Sequence, residues 1–119
     1  MNKINIEHKL SLFSEYFSPK IVGELNGQQV KLVKFKGEFV WHKHELEDEM
    51  FFVLKGSFNM ELRDQTIVLR ENEFLIIPCG VEHRPVAREE VSVMLFEPAA
   101  TLNTGNIETE LTKKVLDRL

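Results

Sequence analysis

The sequence predicts an all-β sandwich or barrel in a single domain, and three observations predict it. From Ile21 onward, short apolar runs alternate with turn signals at close, regular spacing. Several runs alternate with period two, as Phe58, Met60 and Leu62 do against Asn59 and Glu61. The chain has 119 residues, 43% hydrophobic and 29% charged, the size and balance of one globular domain.

Residues 4–17 stand apart from this pattern. Ile6, Leu10, Phe13 and Phe17 recur at three- and four-residue spacings, which predicts an amphipathic N-terminal helix. Ser18-Pro19 ends it, because the residue before a proline is pushed out of the helical region. Asn26-Gly27 then lies between apolar runs at 21–25 and 30–35 and predicts a hairpin turn. Gly37, Lys55-Gly56, Arg63-Asp64, Glu71-Asn72 and Pro78-Cys79-Gly80 are further breaks. Between them, residues 50–54, 58–62, 66–69, 74–77 and 91–96 read as strands. Within 30–35 the alternation slips phase, from Val30 and Leu32 to Val33 and Phe35, which predicts a bulge. Residues 98–105 read as a loop. Residues 108–119 predict a short terminal helix with Leu111, Val115 and Leu119 on one face.

Composition excludes several classes of function. A net charge of −4 and the lack of a basic run leave no electrostatic footprint for nucleic acid. No apolar stretch approaches the roughly 20 residues needed to span a bilayer. Residues 1–10 are charged and interrupted, unlike a signal peptide. Cys79 is the only cysteine, so no internal disulfide forms. Together these features predict a cytoplasmic protein.

Chemistry concentrates on three of the four histidines. His42 and His44 are two apart, so on a strand both imidazoles face the same way, with Trp41 and Lys43 directed outward. Glu49 follows at the start of the next apolar run, and a hairpin-like return brings its carboxylate back beside them. His83 follows the Pro78-Cys79-Gly80 turn, and a closed barrel can bring it close. Neutral imidazoles and a carboxylate suit a divalent transition metal. Four protein ligands on an ion that takes five or six leave open positions, the mark of a working rather than a closed metal site.

At this point the sequence resembles a known family. Gly37, His42-Lys-His44, Glu49 and Gly56 resemble the first cupin motif, with one residue fewer than usual between Gly37 and His42. Pro78, Gly80 and His83 resemble the second. Asn72 stands at that motif's first glycine, a replacement that tolerates left-handed backbone. Ala87 stands at its final Asn, which is not a metal ligand in the family. The resemblance covers roughly residues 34–96.

It implies a jelly-roll barrel, the cupin double-stranded β-helix, over about residues 21–97. One divalent ion (Zn, Fe, Mn, Ni or Cu) would be held by His42, His44, Glu49 and His83. The implied functions are a metal-dependent small-molecule enzyme of dioxygenase, isomerase or lyase type, or a non-catalytic module that binds a sugar or small anion. A structural metal staple is a third reading. Members of this size commonly form homodimers.

Other residues take roles from these placements. Phe51, Val53 and Val40 are expected to line the cavity. Phe39, Trp41, Phe52 and Leu54 are expected to face outward and to support a dimer interface. Arg84 and Arg88 are read as solvated beside Glu82, Glu89 and Glu90, His8 as solvated, and Cys79 as an inert thiol without a basic neighbour. No general base stands out, Tyr16 being a distant candidate and Glu49 the one buried-looking acid.

Overall fold

Residues 20–98 fold into seven strands in the computed structural model, which describes residues 1–119. They are β1 (Lys20–Leu25), β2 (Gln28–Glu38), β3 (Glu49–Lys55), β4 (Ser57–Leu62), β5 (Thr66–Arg70), β6 (Phe74–Ile77) and β7 (His83–Pro98). All pairings between strands are antiparallel, in the order β1-β2-β7-β3-β6, with β4 pairing both β5 and β7. The 16-residue β7 closes the barrel. Its first half pairs β4 through His83–Val86, and its second half runs between β2 and β3.

The turn chemistry read from the sequence appears in the backbone. Asn26 and Gly27 take φ of 50° and 78°, the pair of positive angles a two-residue hairpin turn of type I′ requires. Asn72 takes φ 67°, the left-handed conformation its replacement of glycine calls for. Twelve buried apolar residues fill the interior, among them Val33, Phe51, Val53, Met60, Val91 and Val93. Phe58 and Met60 point inward, with Leu62 packed against them.

Four expectations need correction. The N-terminal helix is α1 (Ile6–Leu10), five residues long and with no buried residue. Ser11 turns its hydroxyl back onto the His8 carbonyl at 2.6 Å. Lys34 Nζ then takes the carbonyls of Leu10 (2.9 Å) and Phe13 (2.7 Å). The chain therefore leaves the helix, and Phe13 packs with Val22 and Leu32 on the outside of the sheet. That second cluster also removes the predicted bulge within 30–35. Leu32 is buried from outside and Lys31, Val33 and Phe35 from inside, so the alternation of β2 does not slip; the irregularities are a shift between Phe35 and Gly37 and one in the partner β1, between Ile21 and Gly23 opposite Lys31 and Val30.

The C-terminal helix is absent. Thr109 and Thr112 hydrogen-bond nearby backbone N–H groups through their hydroxyls, the local competition that disfavours helix. The tail then pairs with β1, Ile21 N–H donating to Asp117 and Leu119 N–H to Ile21. Finally, Phe39 points inward rather than outward. It continues the inward alternation of Val33 and Phe35, and β2 ends at Glu38, so its facing cannot be counted back from His42.

Candidate metal centre

His42 and His83 face each other across an antiparallel bridge, each N–H donating to the other's carbonyl (3.1 and 2.9 Å). His44 is tied to the other ligand-bearing turn by Gly80 N–H, which donates to its carbonyl at 2.7 Å. Glu49 opens β3. The His42–His44 stretch is thus not a continuous strand; single bridges to the His83 turn do the positioning. One ligating atom from each of His42, His44, Glu49 and His83 lies within 4.8 Å of all the others, and all four residues are buried.

Two of the imidazoles are preset for ligation. His42 Nδ1 lies 2.8 Å from the Val40 carbonyl and His83 Nδ1 lies 2.9 Å from that of Val81. A carbonyl only accepts, so each Nδ1 carries the proton and each Nε2 is left with a lone pair. Glu49 Oε1 stands 3.2 Å from His44 Nε2 and 3.4 Å from His83 Nε2. His44 Nδ1 and Nε2, His83 Nε2 and Glu49 Oε1 are buried without a hydrogen-bond partner. Buried polar atoms are rarely left so, because each orphan costs about 1–3 kcal/mol. An ion among them would satisfy several at once, so the donor set fits a metal.

Electrostatics keeps these groups in ligating form. Burial, with help from the nearby His83, pushes His42 down to about 4, so its imidazole is neutral at pH 7. Burial alone would raise Glu49, but the polar groups of Glu97, His44 and His83 beside it outweigh burial and hold the carboxylate well below its usual range. Glu97 goes the other way. Burial and the charge of Glu49 push it well above the carboxylate range, against the pull of Lys31. The two buried carboxyls are thus pushed in opposite directions. Lys31 Nζ donates to Glu97 Oε1 at 2.7 Å, both side chains being buried, and Oε2 is left without a partner.

Glu97 and Lys31 escaped the sequence reading, although a signal existed. Glu97 continues the inward series Val91, Val93, Leu95, and Lys31 precedes Val33 and Phe35 at the same spacing.

A narrow, open-mouthed cavity reaches this cluster. Phe17, Phe35, Phe39 and Phe51 form its aromatic wall; Val33, Leu95, Pro19 and Pro85 add aliphatic surface. Besides His42 and Glu49, Asn103 is the polar lining residue. Phe51 lines it as expected, while Val53 lies deeper in the core and Val40 outside the lining.

The other singled-out residues lie elsewhere. Arg84 pairs Glu61 (2.6 Å), and the guanidinium carbons of Arg63 and Arg84 sit 3.9 and 5.2 Å from the Trp41 ring centre. Tyr16 donates to Glu90 on the surface. His8 and Cys79 are exposed. The loop after β7 braces the cluster from behind. Asn106 holds Lys43 through side chain and backbone (2.9 and 3.0 Å). At Gly105, φ 57°, any Cβ would overlap the Lys43 carbonyl oxygen and lie 3.2 Å from the His42 ring.

Known proteins resemble this chain in sequence and fold. A cupin-2 domain-containing protein from Shewanella frigidimarina is 48% identical with TM-score 0.79, covering 80% of this chain and 93% of its own. Protein NMB1881 from Neisseria meningitidis is 31% identical with TM-score 0.76, covering 82% of this chain and all of its own. Uncharacterized protein YdbB from Bacillus subtilis is 42% identical over 64 residues, 53% of this chain and 57% of that protein's length. The cupin domain family matches residues 30–97, more than half of the chain, and this protein belongs to that family.

Proposed function

We propose that this cupin holds one divalent metal ion on His42, His44, Glu49 and His83 and uses it in small-molecule chemistry. The observation that carries this reading is the set of buried, unpartnered Nε2 and Oε1 atoms converging within 4.8 Å. When bound, such an ion supplies Lewis acidity, or dioxygen chemistry if it is iron. The chain's own groups do the rest. The Val40 and Val81 carbonyls fix two imidazole tautomers, and Glu49 supplies the negative charge.

The aromatic wall excludes water from one side of the cluster. That favours an enzyme or apolar-ligand site over a sugar-binding module, whose ligand needs a polar lining.

The test is metal content of the purified chain and titration of the stripped protein. One equivalent should bind, and His83→Ala should weaken binding by on the order of 100-fold or more while the far-ultraviolet circular dichroism stays unchanged. Sub-stoichiometric uptake of zinc, iron, manganese, nickel and copper alike would remove the reading.

We also propose a homodimer, through the outer face of β3 and β6. Phe74 and Ile76 are 57% and 53% exposed there, and Phe74 lies directly across from Phe52. The outward aromatics expected from the sequence serve otherwise. Phe39 is inside, Trp41 lies under two arginines, and Leu54 joins the Phe13 cluster. Sedimentation equilibrium should give twice the chain mass, and Ile76→Lys should halve it; a monomer at micromolar concentration overturns this.

A further inference from the structure

We propose that the cavity takes a small apolar molecule bearing one oxygen-anion donor, such as a phenolate, enolate or carboxylate, and that Phe17 sets the size limit of its apolar part. The inference rests on the metal reading of the cluster and adds the substrate class.

The lining decides the class. No lysine or arginine lines the cavity, and Asn103 is the polar wall residue beyond His42 and Glu49. A polyol seated there would bury hydroxyls that find no partners, a loss that sites built from apolar walls cannot recover. A second charged end, such as a phosphate, would meet phenylalanine. The cluster itself asks for an anion: three neutral imidazoles and one carboxylate leave a divalent ion with a net single positive charge, which one oxyanion cancels.

Phe17 is the wall element that the barrel does not supply. It comes from the segment ahead of β1, and its ring stacks on Phe35 and Phe39 with centroids 5.4 and 5.0 Å apart. Its backbone takes φ 57°, a left-handed conformation that bulky side chains rarely adopt. The chain is held there by Phe17 N–H donating to Lys34 at 2.8 Å and by the Lys34 ammonium bonding Leu10 and Phe13. A strained residue that places an aromatic ring in the wall of the cavity reaching the candidate cluster is where such strain tends to serve a function.

Hydroxamates test this, because one oxyanion head can carry different tails. The zinc-loaded full chain is titrated calorimetrically with acetohydroxamate, propionohydroxamate and butyrohydroxamate. Affinity should rise about fourfold per added methylene. Gluconohydroxamate should bind no tighter than acetohydroxamate, and benzohydroxamate weaker than butyrohydroxamate. Phe17→Gly, which also relieves the backbone, should tighten benzohydroxamate at least tenfold and move acetohydroxamate less than twofold.

A flat alkyl series, or a preference for the gluconoyl tail, overturns the apolar class whether or not the variant folds. Equal changes for both probes in Phe17→Gly overturn the role of Phe17. A chain that takes up no zinc overturns the metal reading and this proposal together, and the prior zinc titration tells that case apart.

Discussion

At Glu97 the structure separates two carboxylates that the sequence makes look alike. Because Lys31 occupies Oε1, and burial with the charge of Glu49 pushes the carboxyl well above its usual range, a glutamine should serve there nearly as well. Glu97→Gln is expected to change stability by less than about 1 kcal/mol, whereas Glu97→Leu strands the Lys31 ammonium and should cost about 3–5 kcal/mol. Urea unfolding of the two variants decides it; equal losses would mean that Glu97 is ionised.

His42 makes a second residue-scale prediction. The unfolded chain protonates this imidazole below about 6.5 and the folded, metal-free chain only below about 4. Between those values the unfolded state binds more protons, so stability rises with pH across the window. Roughly 3 kcal/mol should therefore be lost as pH falls from 6.5 to 4. Metal-free unfolding curves at several pH values, compared with His42→Gln, check this; an unchanged slope in the variant refutes it.

The grouping of the four candidate ligands was legible because His42, His44 and Glu49 are close in sequence and His83 falls at a motif position. Glu97 and Lys31 were not, because a charged residue inside a barrel reads as surface until the strand register is known.

Elements were legible where backbone geometry decides them and obscure where tertiary contacts do. The Asn26-Gly27 hairpin and β6 follow from local residues. The first half of β7 did not, because Arg84, Arg88, Glu89 and Glu90 mask a strand that is held by pairing with β4 and β2. Both terminal helices were over-read. Their apolar spacings serve contacts with the sheet, and side-chain hydrogen bonds from Ser11, Lys34, Thr109 and Thr112 take the backbone away from helix.

Lys34 is the element-scale lever. Lys34→Met should leave the barrel intact but release the segment before β1, cutting hydrogen-exchange protection at the Phe17 amide by at least tenfold. Unchanged protection there would mean the aromatic stacking alone suffices.

Over the whole molecule, metal uptake and folding should be coupled. Gathering three imidazoles and a carboxylate among apolar neighbours is unfavourable without an ion, so loading should stabilise the chain. At free metal a thousandfold above Kd the gain should approach about 4 kcal/mol. Thermal melts with and without a chelator read it; identical melting temperatures would argue that the cluster binds nothing.

The brace behind the cluster carries a consequence for biosynthesis. All four candidate ligands lie within residues 42–83, but the Lys43 backbone is pinned by Asn106, and Gly105 passes where no larger residue fits. A ribosome that has just released His83 therefore presents a complete set of donors in an unsupported loop. Firm capture of the ion must wait until some twenty more amino acids emerge. Arrested chains ending near residue 98 should exchange their metal rapidly, and those reaching residue 110 slowly.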